Sequence, residues 1–209
     1  MSNQVVRAIP HSVAARFAAK HYLGKMGPTS FSFGLFLSPE DWQPVGVCCY
    51  GTPSSAPLRA GICGPDHAMN VLELVRLWVD DSAPRFSESF LISQTLRKVN
   101  KEIIVSFADP TVGHVGTVYQ ATNWIYTGFS ARRTDWTIDG VKRHGQTLAD
   151  KYTAEEIRAK FGERFSLKPR PVKHRYVFFN CGRIRRRFLL KALRYPVLSY
   201  PKHSARVAA

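Results

Sequence analysis

The sequence predicts an α/β fold: a mixed central sheet with flanking helices, extended at its C-terminal end by a basic strand and helix. Three observations carry this. Residues 71 to 108 read strand, loop, helix, strand, with both strands nearly continuous apolar runs of the kind covered on two faces. Two further apolar runs, Ser30 to Leu37 and Val45 to Tyr50, flank the turn-forming SPEDWQP and read as an antiparallel pair. The chain closes with RYVFFN and RIRRRFLLKAL, a strand pattern and a basic helix pattern. At 209 residues it is long enough for one domain with a sizeable core and short for two. Residues 1–130 read as the core and 131–209 as a basic extension packed on it.

In chain order, Val5 to Ile9 is the first strand. Ser12 is placed to cap a helix VAARFAAKHYL that buries Val13, Phe17 and Tyr22 and ends at Gly24. GTPSSAPLRAGICGP, with three prolines and three glycines, reads as a loop. In the strand Val71 to Val79 only Glu73 and Arg76 are charged. Three residues apart, they point to opposite faces of a regular strand. Ser87 or Ser89 is placed to cap a helix ending near Lys101. Ile103 to Ala108 is the second buried strand, stopped by Asp109-Pro110. A helix joining two such strands makes a right-handed βαβ unit, so they should be parallel neighbours.

His114 to Trp124 reads as a helix and Ile125 to Ser130 as a strand beside the Ile103 strand. Trp136 to Ile138 and Lys142 to His144 flank Asp139-Gly140, a hairpin-turn signal. Thr153 and Glu156 make a capping box for AEEIRAKFG, closed by Gly162. Pro169 and Pro171 mark a linker. Arg175 to Asn180 is the final strand, and Arg183 to Leu193 a helix with an apolar stripe at Ile184, Phe188, Leu189 and Leu193. From about Lys202 the chain is expected to be disordered.

The formal net charge is +15 and is unevenly placed. Residues 1 to 128 hold 10 Lys and Arg against 9 Asp and Glu; residues 129 to 209 hold 20 against 6, with no acidic side chain after Glu163. A near-neutral half joined to a strongly basic one points to a polyanion-binding surface. Nucleic acid is the first partner to consider; an anionic membrane surface and a merely solubilising tail are the rivals. The four cysteines show no C-x-x-C spacing and read as reduced core thiols. With no apolar run long enough to cross a bilayer and no signal peptide at the N-terminus, the expected location is the cytoplasm.

ELVRLWVDD, SESFLISQTLRKV, IIVSFADP and GHVGTVYQATNWIYTG resemble the Mom family of phage DNA-modification proteins, which is related to the GNAT acyltransferases. The match runs from His21-Tyr22 to the segment His174 to Phe179. The resemblance implies a GNAT-like sheet and an activity that converts adenine in double-stranded DNA to N6-carbamoylmethyladenine, protecting phage DNA from host restriction. It implies acetyl-CoA or a related activated small donor, and possession of iron is the further cofactor expectation. The GNAT pyrophosphate loop usually carries spaced glycines, whereas residues 80 to 89, DDSAPRFSES, have none.

An adenine N6 amine is a poor nucleophile, so it needs a proton acceptor close by and the base must leave the helix. Asp109, at the carboxyl end of a strand where α/β sites collect, is the candidate general base or N6-orienting acceptor; an N-cap is its plain structural alternative. Tyr119, Asn123, Trp124 and Tyr126 supply aromatic faces and an amide, and the resemblance selects Tyr119. Arg76 needs an anion, which Asp109, a donor phosphate or a substrate carbonyl would provide. Ser87 and Ser89, at a helix start, can hold an anion or simply cap; the resemblance selects Arg76 and Ser89. It also marks His21 and Tyr22, and His21, Glu73 and His114 form the histidine and carboxylate set expected for a metal. Arg132, Arg133, Lys173, Arg175, Arg183, Arg185, Arg186 and Arg187 are the expected DNA-backbone contacts.

Three other readings stay open on the residues. A GNAT-type enzyme acting on charged tRNA or a protein amine fits the same fold. Asp109-Pro110 is shared with adenine methyltransferase motifs, although the second proline and the cofactor glycines are absent. A non-enzymatic DNA-binding phage protein is the third.

Overall fold

The structure is a computed structural model that describes residues 3–20, 26–141, 148–149 and 151–202. Its main sheet has seven strands, β1 (Val5–Ala8), β2 (Phe31–Phe36), β3 (Gly46–Gly51), β4 (Val71–Val79), β5 (Ile103–Ala108), β6 (Ile125–Phe129) and β9 (His174–Phe179), in the order β1-β2-β3-β4-β5-β9-β6. Among them β4 and β5 are parallel and the other neighbours antiparallel. A second sheet pairs β7 (Arg133–Ile138) with β8 (Phe165–Arg170). The expected mixed α/β architecture is therefore present, and the expected parallel pair is its centre.

Helices α3 (Ser87–Leu96) and α4 (Thr117–Ala121) cover one face, where Leu91, Ile92, Leu96 and Tyr119 pack on Leu72, Leu74 and Ile104. The other face is covered at one end by α1 (His11–Ala18), through Ala14 on Val47 and Cys49. At the other end α2 (Ala56–Cys63) and α6 (Arg183–Ala192) bring Ile62 and Leu189 onto Val71, Ile103, Val105 and Val177. The intervening α5 (Ala154–Phe161) packs Ile157 with Ile138 and Leu148 against the small sheet. Its capping box forms as expected, and Gly162 ends it at φ 53°.

Several local expectations are corrected. Pro10 rather than Ser12 stands at the N-cap of α1, because proline's fixed φ suits the helix entry. The segment read as a loop contains α2: Ser55 accepts from Leu58 N–H, and Pro57 occupies the first turn, where its missing N–H costs nothing. Neither Ser87 nor Ser89 caps α3, whose N-cap is Phe86 at φ 71°. The left-handed conformation that a glycine would supply is thus taken by a phenylalanine, and the helix ends at Leu96, short of Lys101. Only Thr117–Ala121 of the expected 114–124 helix forms, since Gly116 turns left-handed at φ 80° immediately before it.

β6 does not lie beside β5; β9 is inserted between them, antiparallel to both. Nor is Pro169 in a linker, because β8 runs through it and pairs it with Thr134 on a ribbon whose edges tolerate a missing N–H. β7 pairs with β8; its expected hairpin partner 142–144 lies outside the described residues, as do Tyr22, Gly24 and the chain beyond 202. On α6 only Leu189 of the expected stripe is buried; Ile184 is 86% and Phe188 53% exposed.

Candidate active site

The parallel ladder between β4 and β5 is short. Val71 pairs with Ile103, Leu72 with Ile104 and Glu73 with Val105, after which the two strands part while each continues. Beyond that point the Leu74 carbonyl has lost its backbone partner, and the Ser106 hydroxyl replaces it at 2.9 Å. The same hydroxyl lies 2.8 Å from the Tyr119 hydroxyl. The gap opens into a cavity of about 550 Å³. Its walls include Leu74, Leu77, Ser106, Ala108 and Tyr119 from the α3/α4 side, and Arg76 and Phe107 from the other. The cavity therefore lies at the gap, with residues of both parted strands on its wall.

A bulge decides which face Arg76 serves. Cys49 pairs with Arg76 and Tyr50 with Leu74, leaving Val75 as an extra residue on β4. Opposed residues share a face, so Arg76 sides with Cys49 on the α1 face, the face of Glu73. The expectation that Glu73 and Arg76 point apart therefore fails, because it assumed a regular strand. Arg76 is buried, on the cavity wall.

Alternation along β5 separates the remaining candidates. Ile104 and Ala108 pack with Tyr119, whereas Ile103, Val105 and Phe107 pack on the α2/α6 side, so Asp109 follows the latter set. Asp109 and Tyr119, assigned to one site in the sequence reading, therefore lie on opposite sides of the gap. Asp109 caps the short turn Pro110–Val112, accepting from Thr111 N–H at 3.0 Å and Thr111 Oγ1 at 2.6 Å. Its Oδ2 lies 3.1 Å from Lys173 Nζ. Burial alone would raise its pKa, but the Thr111 bonds and Lys173 outweigh it and hold the carboxyl below the usual range.

Glu73 is the opposite case. It sits, partly buried, between Val71, which belongs to the α2/α6 packing, and Val75, which belongs to the α1 packing, in the seam between those two clusters. Burial pushes its carboxyl up to about 7, with the Lys173 charge opposing. Among the described residues no hydrogen bond or ion pair holds it. A carboxyl poised near neutrality in a strand interior was visible in the sequence as an unexplained charge in an apolar run, and was read there only as a metal ligand.

Tyr119 is buried, its ring 5.1 Å from that of Trp124 and 5.2 Å from that of Tyr176. Trp124 and Tyr126 belong to the same packed core, and Asn123, at φ 60°, is exposed in the turn behind it. Ser89 lines the cavity and donates to the Phe86 carbonyl. Ser87 is buried away from the cavity, donating to Pro84 O and accepting from Gln4 Nε2, so it is not placed to bind a cofactor. Arg85, Phe86 and Glu88 complete the wall at the start of α3.

The metal expectation is not met by the described residues, among which no three His, Cys, Asp or Glu side chains cluster. His114 is exposed and lines the cavity, Glu73 lies in the seam, and His21, like Tyr22, is outside the described residues. The expected DNA contacts divide. Arg132, Arg133, Arg183 and Arg187 are exposed, with Arg133 donating to Ser55 Oγ at 3.1 Å and Arg186 partly covered. Arg185 is paired with Glu102 at 2.8 Å and Lys173 with Asp109. Arg175 is turned inward: it donates to Thr127 Oγ1 and Thr127 O, both at 2.9 Å, and lies 3.4 Å over the Tyr195 ring. That placement corrects its reading as a backbone contact, since a buried guanidinium is spent on the fold.

Residues 3–202 match the Mom protein family. The methylcarbamoylase Mom of Escherichia phage Mu is 33% identical over 193 residues, which span 88% of this chain and 77% of that protein. Among solved structures, the chain is similar to the ribosomal-protein-S5-alanine acetyltransferase from Vibrio fischeri, with TM-score 0.48 and 11% identity over 86% of this chain and 94% of that one. It is likewise similar to Arabidopsis thaliana NAA60 in complex with acetyl-CoA, with TM-score 0.47 and 11% identity over 84% of this chain and 99% of that one.

Proposed function

The chain belongs to the Mom protein family, and from that premise we propose that it is a transferase that modifies the N6 amine of adenine in duplex phage DNA to the carbamoylmethyl form. One observation supports the mechanism: β4 and β5 part beyond the Glu73–Val105 pair beside a cavity of about 550 Å³, and the carboxylates Glu73 and Asp109 stand near that parting on the opposite face of the sheet. Donor and acceptor then approach from opposite sides of the sheet and meet in the gap.

The cavity suits a small activated donor such as acetyl-CoA. Its volume of about 550 Å³ is within the range of small-molecule sites. Arg76 and Arg85 are on its wall for phosphate or carbonyl oxygens, and Phe86, Glu88 and Ser89 at the start of α3 line it. When bound, a donor carrying a leaving group on the carbon that becomes the N6-bound methylene of the preformed carbamoylmethyl group would supply the electrophile: the N6–C bond forms as the bond to the leaving group breaks, and the N6 proton passes to a base. The chain's own residues bind, orient and accept that proton. Tyr119 lines the cavity with its hydroxyl held against Ser106, and this hydroxyl is the group assigned to hydrogen-bond the reacting group. Asp109, ionised and clamped by Thr111 and Lys173, is a fixed acceptor that orients N6. Glu73 is the better general base, because a base works best with a pKa near the working pH.

The target adenine has to leave the duplex to reach this gap. Exposed Arg132 and Arg133, and Arg183 and Arg187 on α6, are the phosphate contacts that hold the DNA while it does so. Among the described residues no helix is long and apolar enough to cross a membrane. Nucleoside mass spectrometry on plasmid DNA from cells expressing the wild type, Glu73→Gln and Asp109→Ala tests the reading. A modified deoxyadenosine is expected with the wild type alone, and its mass identifies the added group. Unmodified DNA from cells making soluble wild-type protein would overturn the proposal and direct the search to RNA and protein amines.

A further inference from the structure

Trp42 is 96% exposed, at the turn between β2 and β3. A large aromatic left in water forgoes the burial that gives such side chains most of their stabilising effect. Facing it across a groove of about 290 Å³ is the outer side of α1. Val13, Phe17 and Pro44 make the apolar part of the lining, and Arg16, Lys20 and Gln43 the polar part. Arg16 is exposed and, among the described residues, makes no hydrogen bond or ion pair. Lys20 Nζ rides 5.4 Å from the Phe17 ring and 5.0 Å from the Trp78 ring, with Asp80 the acidic neighbour that senses its charge. The turn's own acids are engaged with it: Asp41 accepts from Ser38 N–H and Glu40 from the Ser38 hydroxyl.

The groove's position is as telling as its chemistry. Gly46, where the turn ends, pairs with Val79, so the turn stands at the C-terminal end of β4, the end toward which β4 and β5 part. α1 covers the face that carries Glu73 and Arg76. An indole plate beside two cations matches a nucleotide: any base offers a π face to stack, and the phosphate meets the guanidinium and ammonium groups. The volume is close to the lower limit of small-ligand pockets, about 300 Å³.

We propose that this groove holds one nucleotide of the DNA beside the target adenine, its base against the Trp42 ring and its phosphate on Arg16 and Lys20. The inference rests on the transferase reading above and adds a second point of attachment, away from the reacting atoms, that keeps the strand in place while adenine is extruded.

Trp42 itself provides the readout. Trp124 is fully buried and Trp78 and Trp136 are partly buried, so Trp42 dominates the iodide-accessible emission. Saturating the full-length protein with a short duplex oligonucleotide should shield that emission from iodide, whereas heparin, which has the charge but no bases, should not. Trp42→Ala should weaken duplex binding about 10-fold, the cost of one lost stacked base, and Trp42→Phe should retain most of the affinity. Undiminished iodide access in the saturated complex, equal affinity of Trp42→Ala, or equal shielding by heparin would overturn the groove proposal. Each would leave the transferase reading standing, because modified deoxyadenosine is measured separately. Wild-type protein that binds no duplex would overturn the groove, and unmodified DNA the transferase.

Discussion

Lys173 Nζ lies 3.1 Å from Asp109 Oδ2, and the same ammonium is the charge that opposes the burial of Glu73. One cation thus serves two carboxylates on one side of the gap. It keeps Asp109 ionised by direct contact, and it leaves Glu73 near neutrality because its help there is smaller than the cost of burial.

The rate of adenine modification should therefore rise with pH through about 7, as Glu73 loses its proton and becomes able to accept one from N6. Glu73→Gln should lose about 10²-fold or more of the rate, and the remaining activity should lack this acidic limb. Initial rates measured with a small-molecule extract of the host as donor source check both. An unchanged limb in the variant would remove Glu73 from the proton-transfer role.

The same group makes a stability prediction with a fixed sign. Its folded value of about 7 lies above the ordinary 4.5, so its contribution to stability is full below about 4.5 and is lost as the pH rises through 7. Glu73→Gln should accordingly melt at a higher temperature than the wild type at pH 8 and at about the same temperature at pH 4. Calorimetry at the two pH values reads the difference.

Lys173→Met removes the shared cation without adding a charge. The acidic limb should move to higher pH, because burial of Glu73 is then unopposed, and Asp109 should protonate more readily. The pH profile of the variant distinguishes this from simple loss of a phosphate contact, which would change DNA affinity and leave the limb where it was.

Tyr119→Phe retains the ring that stacks on Trp124 and Tyr176 and deletes only the hydroxyl beside Ser106. Its stability should fall by about 1 kcal/mol, the ordinary worth of one hydrogen bond. Modification should fall by about 10-fold or more if that hydroxyl bonds the reacting group, since Tyr119 and Ser106 both line the cavity. Full modification with the expected small loss of stability would confine Tyr119 to the core.

On α6, Arg183→Ala with Arg187→Ala should weaken duplex binding and flatten its dependence on salt, with little effect on folding, because both side chains are exposed. Arg175→Ala should do the reverse. It leaves Thr127 without its guanidinium partner and Tyr195 without the plate it stacks on, so it should cost about 2 kcal/mol or more. Binding measured as a function of salt, beside thermal melts, separates the two classes of arginine.

What the sequence determined by itself was local or compositional. The apolar runs of β4 and β5, the helix between them and the stop at Asp109-Pro110 specify a parallel pair, because each signal lies within a few residues of the structure it dictates. The capping box at Thr153 and Glu156 is of the same kind. The concentration of positive charge after residue 129 follows from counting alone.

Tertiary structure decided the rest. No local pattern announces that β9 separates β5 from β6, since antiparallel pairing between strands far apart in the chain is selected by the whole sheet. The bulge at Val75 reversed the side on which Arg76 lies, and one extra residue is invisible in a period-two pattern. Burial, not residue type, set Glu73 apart from Asp109 as a base, and contact with Thr127 and Tyr195 set Arg175 apart from the arginines left in water. Trp42 belongs in sequence to the turn-forming SPEDWQP; only the fold sets it, 96% exposed, beside the outer side of α1.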